Sequence, residues 1–122
     1  MKKILLIEEN KVVSSSLKFL LDNSGYTIKT AKDGKEGLRI LSDDYFDLTI
    51  IELKLPVING TMLISMISES PFLKKRANKI FVMTSNSTEE MLEQMFEMGA
   101  DDYLKKPFSA TEFLMRTKKL LN

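Results

Sequence analysis

Five short strand-like segments alternate along this chain of 122 residues with stretches whose apolar residues recur at helical spacing. No other feature narrows the fold so far. Successive parallel strands must be joined by long crossovers, usually helices, whereas antiparallel strands need only tight turns. Ile4-Leu5-Leu6-Ile7 is a continuous apolar run between Lys3 and Glu8, the mark of a strand buried on both faces. Val13, Leu17, Leu20 and Leu21 then form one helical stripe, with Asn10 placed to cap its start and Gly25 to end it. Residues 26–30 read as a second strand. Residues 33–42 read as a short helix turning Leu38 and Leu41 inward, although Gly34 and Gly37 weaken it.

Residues 47–51 form a third strand, followed by a loop through Leu55-Pro56 and Asn59-Gly60. A helix from about Thr61 presents Met62, Leu63, Met66 and Ile67 and ends near Pro71, leaving residues 74–78 as a polar connection. Ile80-Phe81-Val82-Met83 is the fourth strand. Ser87 and Glu90 are spaced as a capping box before a helix carrying Met91, Leu92, Met95 and Phe96. Residues 102–105 make a brief fifth strand, and Ser109 and Glu112 form a second capping box. That box opens a last helix with Phe113, Thr117, Leu120 and Leu121 inward. Five strands alternating with five helices predict one α/β domain over residues 1–122, its parallel sheet covered on both faces by right-handed crossovers. The eight methionines lie mostly at helical core spacing and read as gap-filling core residues.

Eighteen basic against seventeen acidic residues give a formal net charge of +1, with no clustered basic field for direct nucleic-acid binding. The absence of cysteine excludes disulfides and thiolate chemistry, and the absence of histidine removes the commonest general base and transition-metal ligand. The apolar run after Lys2-Lys3 stops at Glu8, short of a signal peptide, and no stretch approaches the roughly 18 apolar residues of a membrane span. A cytoplasmic protein without membrane attachment is expected.

In an open α/β sheet, ligands bind beyond the carboxyl ends of the strands. Strand one is followed by Glu8 and Glu9, strand three by Glu52, strand four by Thr84 and Ser85, and strand five by Lys106, locked before Pro107. Any one of these acids alone reads as a solvated loop residue. Four strand ends supplying complementary groups point instead to a site. Three acids and one lysine leave a local charge near −2, which a bound cation or proton uptake should relieve. Oxygen-only ligands favour a hard cation such as Mg²⁺ or Ca²⁺.

Four segments together resemble the receiver domains of two-component response regulators across essentially the whole chain. They are residues 3–10, residues 47–52 with Leu55-Pro56 and Asn59-Gly60, Met83-Thr84-Ser85, and residues 99–108 with Lys105-Lys106-Pro107-Phe108. The resemblance implies a doubly wound (βα)5 fold of the flavodoxin-like type, its five-stranded parallel sheet ordered 2-1-3-4-5. It implies Mg²⁺ held by acids at Glu8, Glu9 and Glu52, a phosphoacceptor at position 52, phosphoryl-oxygen binding by Thr84 and Lys106, and an aromatic switch at Tyr103. The partners it implies are a histidine kinase or a downstream effector, and a homodimer through the fourth helix, fifth strand and fifth helix. Four acids on that fourth helix (Glu89, Glu90, Glu93, Glu97) and Arg116, Lys118 and Lys119 on the fifth supply charge for such a face.

Three positions depart from the family pattern: Glu52 for the acceptor aspartate, Glu9 for the usual aspartate, and Asn59 for the common acid before glycine. An added methylene moves a carboxylate by about 1 Å, and misplacement of that size costs about a hundredfold in a positioned reaction. Mg²⁺ demands near-octahedral geometry at about 2.0–2.1 Å. Lys54 reads as an exposed loop lysine. These departures favour a phosphorylation-independent signalling module, not an enzyme, in which Glu52 pairs with Lys106 and Thr84. The alternative is a working phosphoryl acceptor using Mg²⁺ in altered geometry. A flavin-binding protein on the same architecture is disfavoured, because no Gly-rich phosphate loop follows strand one.

Overall fold

Five parallel strands, β1 (Lys3–Ile7), β2 (Thr27–Ala31), β3 (Leu48–Glu52), β4 (Lys79–Thr84) and β5 (Asp102–Lys105), form one sheet in the order β2-β1-β3-β4-β5. The computed structural model describes residues 1–85 and 87–122. Register runs Ile4↔Leu48 between β1 and β3, Ile50↔Phe81 between β3 and β4, and Val82↔Tyr103 between β4 and β5. Glu52, Thr84 and Lys105 therefore end their strands on the same rim.

Side chains alternate across each strand, so the sheet has two cores. Ile4, Leu6, Ile50, Phe81 and Met83 face Leu17 and Leu21 of α1 (Lys11–Asn23) and Phe113 and Leu121 of α6 (Ala110–Leu121). Leu5, Ile7, Ile51 and Val82 face the other side. There they meet α2 (Gly34–Asp43), α3 (Gly60–Glu69), α4 (Pro71–Ala77) and α5 (Glu89–Glu97). Phe113 stacks between Phe81 and Phe108, at 6.0 and 5.5 Å between ring centroids.

Several local expectations hold, and several are corrected. Asn10 caps α1, accepting from the backbone N–H of Val12 and Val13. Gly37 does not spoil α2, because a Cβ there would stand 2.6 Å from Ile7 Cδ1. Its missing side chain lets the helix lie close on β1. The described residues contain six helices where five were expected. Ser70 caps a separate α4 with Pro71 in its first turn and Lys74, Lys75 and Arg76 in its last, so the supposed polar connection is helical. The inward face of α3 is Leu63, Ile64 and Ile67, while Met62 and Met66 are exposed. Five of the eight methionines (Met1, Met62, Met66, Met91 and Met115) are exposed, so the core reading of that residue type fails for most of them. Phe96 is also exposed, leaving Met95 as the buried residue of α5. The cap of α5 is Thr88 rather than Ser87, its side chain accepting from Met91 N–H. Ser109 caps α6 as expected, but Glu112 turns to Arg116 instead of reaching back.

Candidate functional site

The carboxyl rim of the sheet carries an ion-paired centre built from three strand ends. Glu8 follows β1 and is held by its backbone N–H, which donates to Ala31 O at 3.0 Å. Glu52 is the last residue of β3, and its neighbour Leu53 donates N–H to Met83 O at 3.1 Å. Lys106 follows β5, donates its N–H to Thr84 O at 2.7 Å, and precedes Pro107 through a cis peptide bond. All three side chains converge. The Lys106 Nζ donates to Glu8 Oε1 at 2.7 Å and to Glu52 Oε1 at 2.7 Å.

Burial decides how strong this arrangement is. The side chains of Glu8 and Glu52 are 3% and 7% exposed, and that of Lys106 is 18% exposed. Desolvation by itself disfavours the charged ammonium. The hydrogen bonds and charges of Glu52 and Glu8 outweigh it and hold the Lys106 pKa above its ordinary value. The second carboxylate oxygens face backbone donors: Glu8 Oε2 accepts from Asn10 N–H at 3.1 Å, and Glu52 Oε2 from Lys54 N–H at 3.4 Å. Three of the expected site residues are thus joined directly.

Thr84 is buried at the end of β4 on the same rim. Glu9 is exposed and stands apart from the Glu8–Lys106–Glu52 bridge, and Lys54 is exposed as expected. Among the described residues, no three His, Cys, Asp or Glu side chains group as a metal-holding cluster. Tyr103, on β5, is half-buried and meets Phe96 edge-on at 5.9 Å.

Two features escape a reading of strand ends. A cleft of about 490 Å³ opens beside Lys106, lined by Val12, Val13, Leu17, Pro107 and Phe108, with Val12 76% exposed. Its only signal in the sequence is Val12, an apolar residue that lies off the stripe of Val13, Leu17, Leu20 and Leu21. On the other side, Glu89, Glu90, Glu93 and Glu97 are exposed along α5, as are Lys118 and Lys119 on α6. Arg116, however, is engaged within the chain, donating to Asp102 at 3.0 Å and to Glu112 at 3.3 Å. No helix among the described residues is long and apolar enough to cross a membrane.

Residues 4–118 match the sequence profile of the response regulator receiver domain. The chain is 34% identical over 121 residues to the transcriptional regulatory protein CrdR of Helicobacter pylori, covering 99% of this chain and 55% of that protein. It is 32% identical to the transcriptional regulatory protein CpxR of Klebsiella pneumoniae, covering 99% of this chain and 50% of that protein. The chain thus spans about half the length of these curated relatives. Among solved structures, the chemotaxis protein CheY4 of Vibrio cholerae superposes with a TM-score of 0.90 at 25% identity, covering 99% of both chains. The receiver domain of the sensor histidine kinase PA1611 from Pseudomonas aeruginosa has a magnesium ion coordinated in its active-site cleft. It superposes with a TM-score of 0.85 at 25% identity, over 98% of this chain and 97% of that one.

Proposed function

Since this chain belongs to the response regulator receiver family of two-component signalling, we propose that it is an atypical member whose output does not depend on phosphorylation. The observation that carries this reading is the bridge from Lys106 to Glu8 and Glu52. On this reading Glu52 stands at the phosphoacceptor position and Lys106 and Thr84 at the phosphoryl-binding positions. The longer Glu52 side chain brings its carboxylate to the lysine that would otherwise meet an incoming phosphoryl oxygen. A glutamate supplies one negative charge there, where a phosphoryl group supplies close to two.

Mg²⁺ is the metal the family implies, and the donor set here does not fit it. The two buried carboxylates direct one oxygen each at an ammonium, and Glu9, the third acid, stands apart from them. Octahedral Mg²⁺ needs its oxygens turned toward a common point at about 2.0–2.1 Å.

The module acts in the cytoplasm by binding partners rather than as an enzyme, with a histidine kinase or a downstream effector as the partner class. The apolar cleft beside Lys106 and the charged face of α5, β5 and α6 support that role. Pairing of Arg116 within its own chain leaves Lys105, Lys118 and Lys119 as the exposed cations for a homodimer. Incubation with a small phosphodonor and Mg²⁺, followed by intact-mass measurement, tests the reading. An unmodified chain is expected. A stable phosphoryl adduct on Glu52 would refute it in favour of a working acceptor with altered geometry.

A further inference from the structure

We infer that the amino end of the sheet, the pole away from Glu52 and Lys106, is a docking surface for an acidic protein segment carrying one aromatic or aliphatic anchor. The inference goes beyond the proposed function and uses none of its site residues. β1 and β4 begin at this pole with Lys3 and Lys79, and the last turn of α4 adds Lys74, Lys75 and Arg76. Phe46 N–H donates to Arg76 O at 2.7 Å, which ties that turn to the Tyr45-Phe46 segment. Lys2, Lys74, Lys75 and Lys79 are exposed, and none of them enters an ion pair among the described residues.

The acids beside these cations are spent inward. Asp44 takes the ammonium of Lys3 at 2.7 Å, Asp47 accepts Lys3 N–H at 2.8 Å, and Asp101 accepts Ile80 N–H at 2.8 Å. The helix dipole accounts for basic residues in the last turn of α4. It does not account for Lys2, Lys79 or the two exposed rings set among them, Tyr45 and Phe72. Each ring carries a cation: the Arg76 guanidinium lies 4.4 Å from the Phe72 centroid, and Lys3 Nζ lies 4.9 Å from that of Tyr45. Aromatic side chains and arginine are the residues enriched at protein interfaces. A hollow of about 360 Å³ beside Tyr45, lined also by Met1, Lys2, Lys3 and Asp47, receives the anchor. An acidic segment is the occupant whose charge complements the unpaired lysines. A phosphate backbone calls for an unbroken basic track, and Asp43, Asp44 and Asp47 interrupt this one. A membrane surface favours bare apolar side chains, whereas each ring here lies under a cation.

The test titrates the 122-residue chain into fluorescein-labelled synthetic peptides and reads fluorescence anisotropy. One short peptide is glutamate throughout, and the other is the same with a central phenylalanine. A labelled oligothymidylate of equal length and phosphatidylserine vesicles are the remaining probes. The phenylalanine peptide is expected to bind saturably, more tightly than the all-glutamate one, and more weakly as NaCl rises. Lys74→Glu/Lys75→Glu should weaken its binding at least about tenfold, while Lys118→Glu/Lys119→Glu on α6 should leave it unchanged. Tyr45→Ala should bring the two peptides level. Circular dichroism checks the fold of each variant, and Lys2→Glu/Lys79→Glu replaces Lys74→Glu/Lys75→Glu under the same criteria if the latter does not fold. No saturable binding of the phenylalanine peptide overturns the inference. So does equal weakening by the α6 variant, which marks unspecific attraction. Tighter binding of the oligothymidylate or the vesicles overturns it in favour of that class of partner. Self-association of the chain that is lost in Lys74→Glu/Lys75→Glu overturns it in favour of a second copy. A phosphoryl adduct on Glu52 sinks the proposed function and leaves this inference standing.

Discussion

Replacing Lys106 by methionine keeps most of the side-chain volume and deletes the charge, leaving Glu8 and Glu52 facing each other without a counter-ion. Removing one partner of a buried ion pair costs about 3–5 kcal/mol. Here Lys106 is 18% exposed, so water partly screens the loss and the lower end, about 3 kcal/mol, is expected. For a domain of this size that lowers the melting temperature by about 10 °C. Glu52→Gln removes only one of the two anions and leaves Lys106 paired with Glu8, so its cost is smaller, about 1–2 kcal/mol. In the double variant only Glu8 is left without a counter-ion instead of two facing carboxylates, and the loss falls short of the sum of the two single losses by about 2 kcal/mol. Urea titrations of all four proteins, followed by helical circular dichroism, measure the cycle. A coupling energy within about 0.5 kcal/mol of zero would refute the idea that the bridge is an energetic unit.

The pH dependence of that difference follows from the raised Lys106 pKa. Its folded value lies above the ordinary 10.5, so the stabilisation is fully present below about pH 10.5 and is lost as pH rises through the higher folded value. Stability of the unsubstituted chain and of Lys106→Met should therefore converge only in strong alkali, as urea midpoints across pH would show. Thr117 sits wholly buried in α6 with its hydroxyl unpaired among the described residues, so Thr117→Val should raise stability by about 1 kcal/mol in the same assay. Asn10→Ala removes the cap that accepts from Val12 and Val13 and should cost about 1 kcal/mol. Light scattering at low and high salt should show a salt-sensitive dimer if the α5–β5–α6 face is used, and a monomer under both conditions would remove that partner.

Strand ends made the site legible. Glu8, Glu52, Thr84 and Lys106 each follow or close a buried apolar segment, and parallel register brings such positions to one rim whatever the intervening helices do. Glu9 was the weak member, because adjacent residues leaving a strand diverge and Glu8 alone turns to Lys106. The helix α4 was hidden because Pro71 serves equally well to stop one helix and to begin another, and Ser70 as a cap settles which. The inward face of α3 was misjudged by about one residue's rotation around the helix. Met62 and Met66 satisfy the same spacing as Leu63 and Ile67, and only packing against the sheet distinguishes them.

Gly60 adds a mechanical aspect to the rim. Its N–H donates to Leu53 O at 2.8 Å, and a Cβ there would lie 2.5 Å from Leu53 Cα and 2.7 Å from Glu52 O. The start of α3 is thereby riveted to the end of β3. Gly60→Ala should cost about 1–3 kcal/mol by forcing that seam apart, readable as a shift in urea midpoint. Glu52 is consequently a fixed post, and its bond to Lys106 ties the joined ends of β3 and α3 to the end of β5.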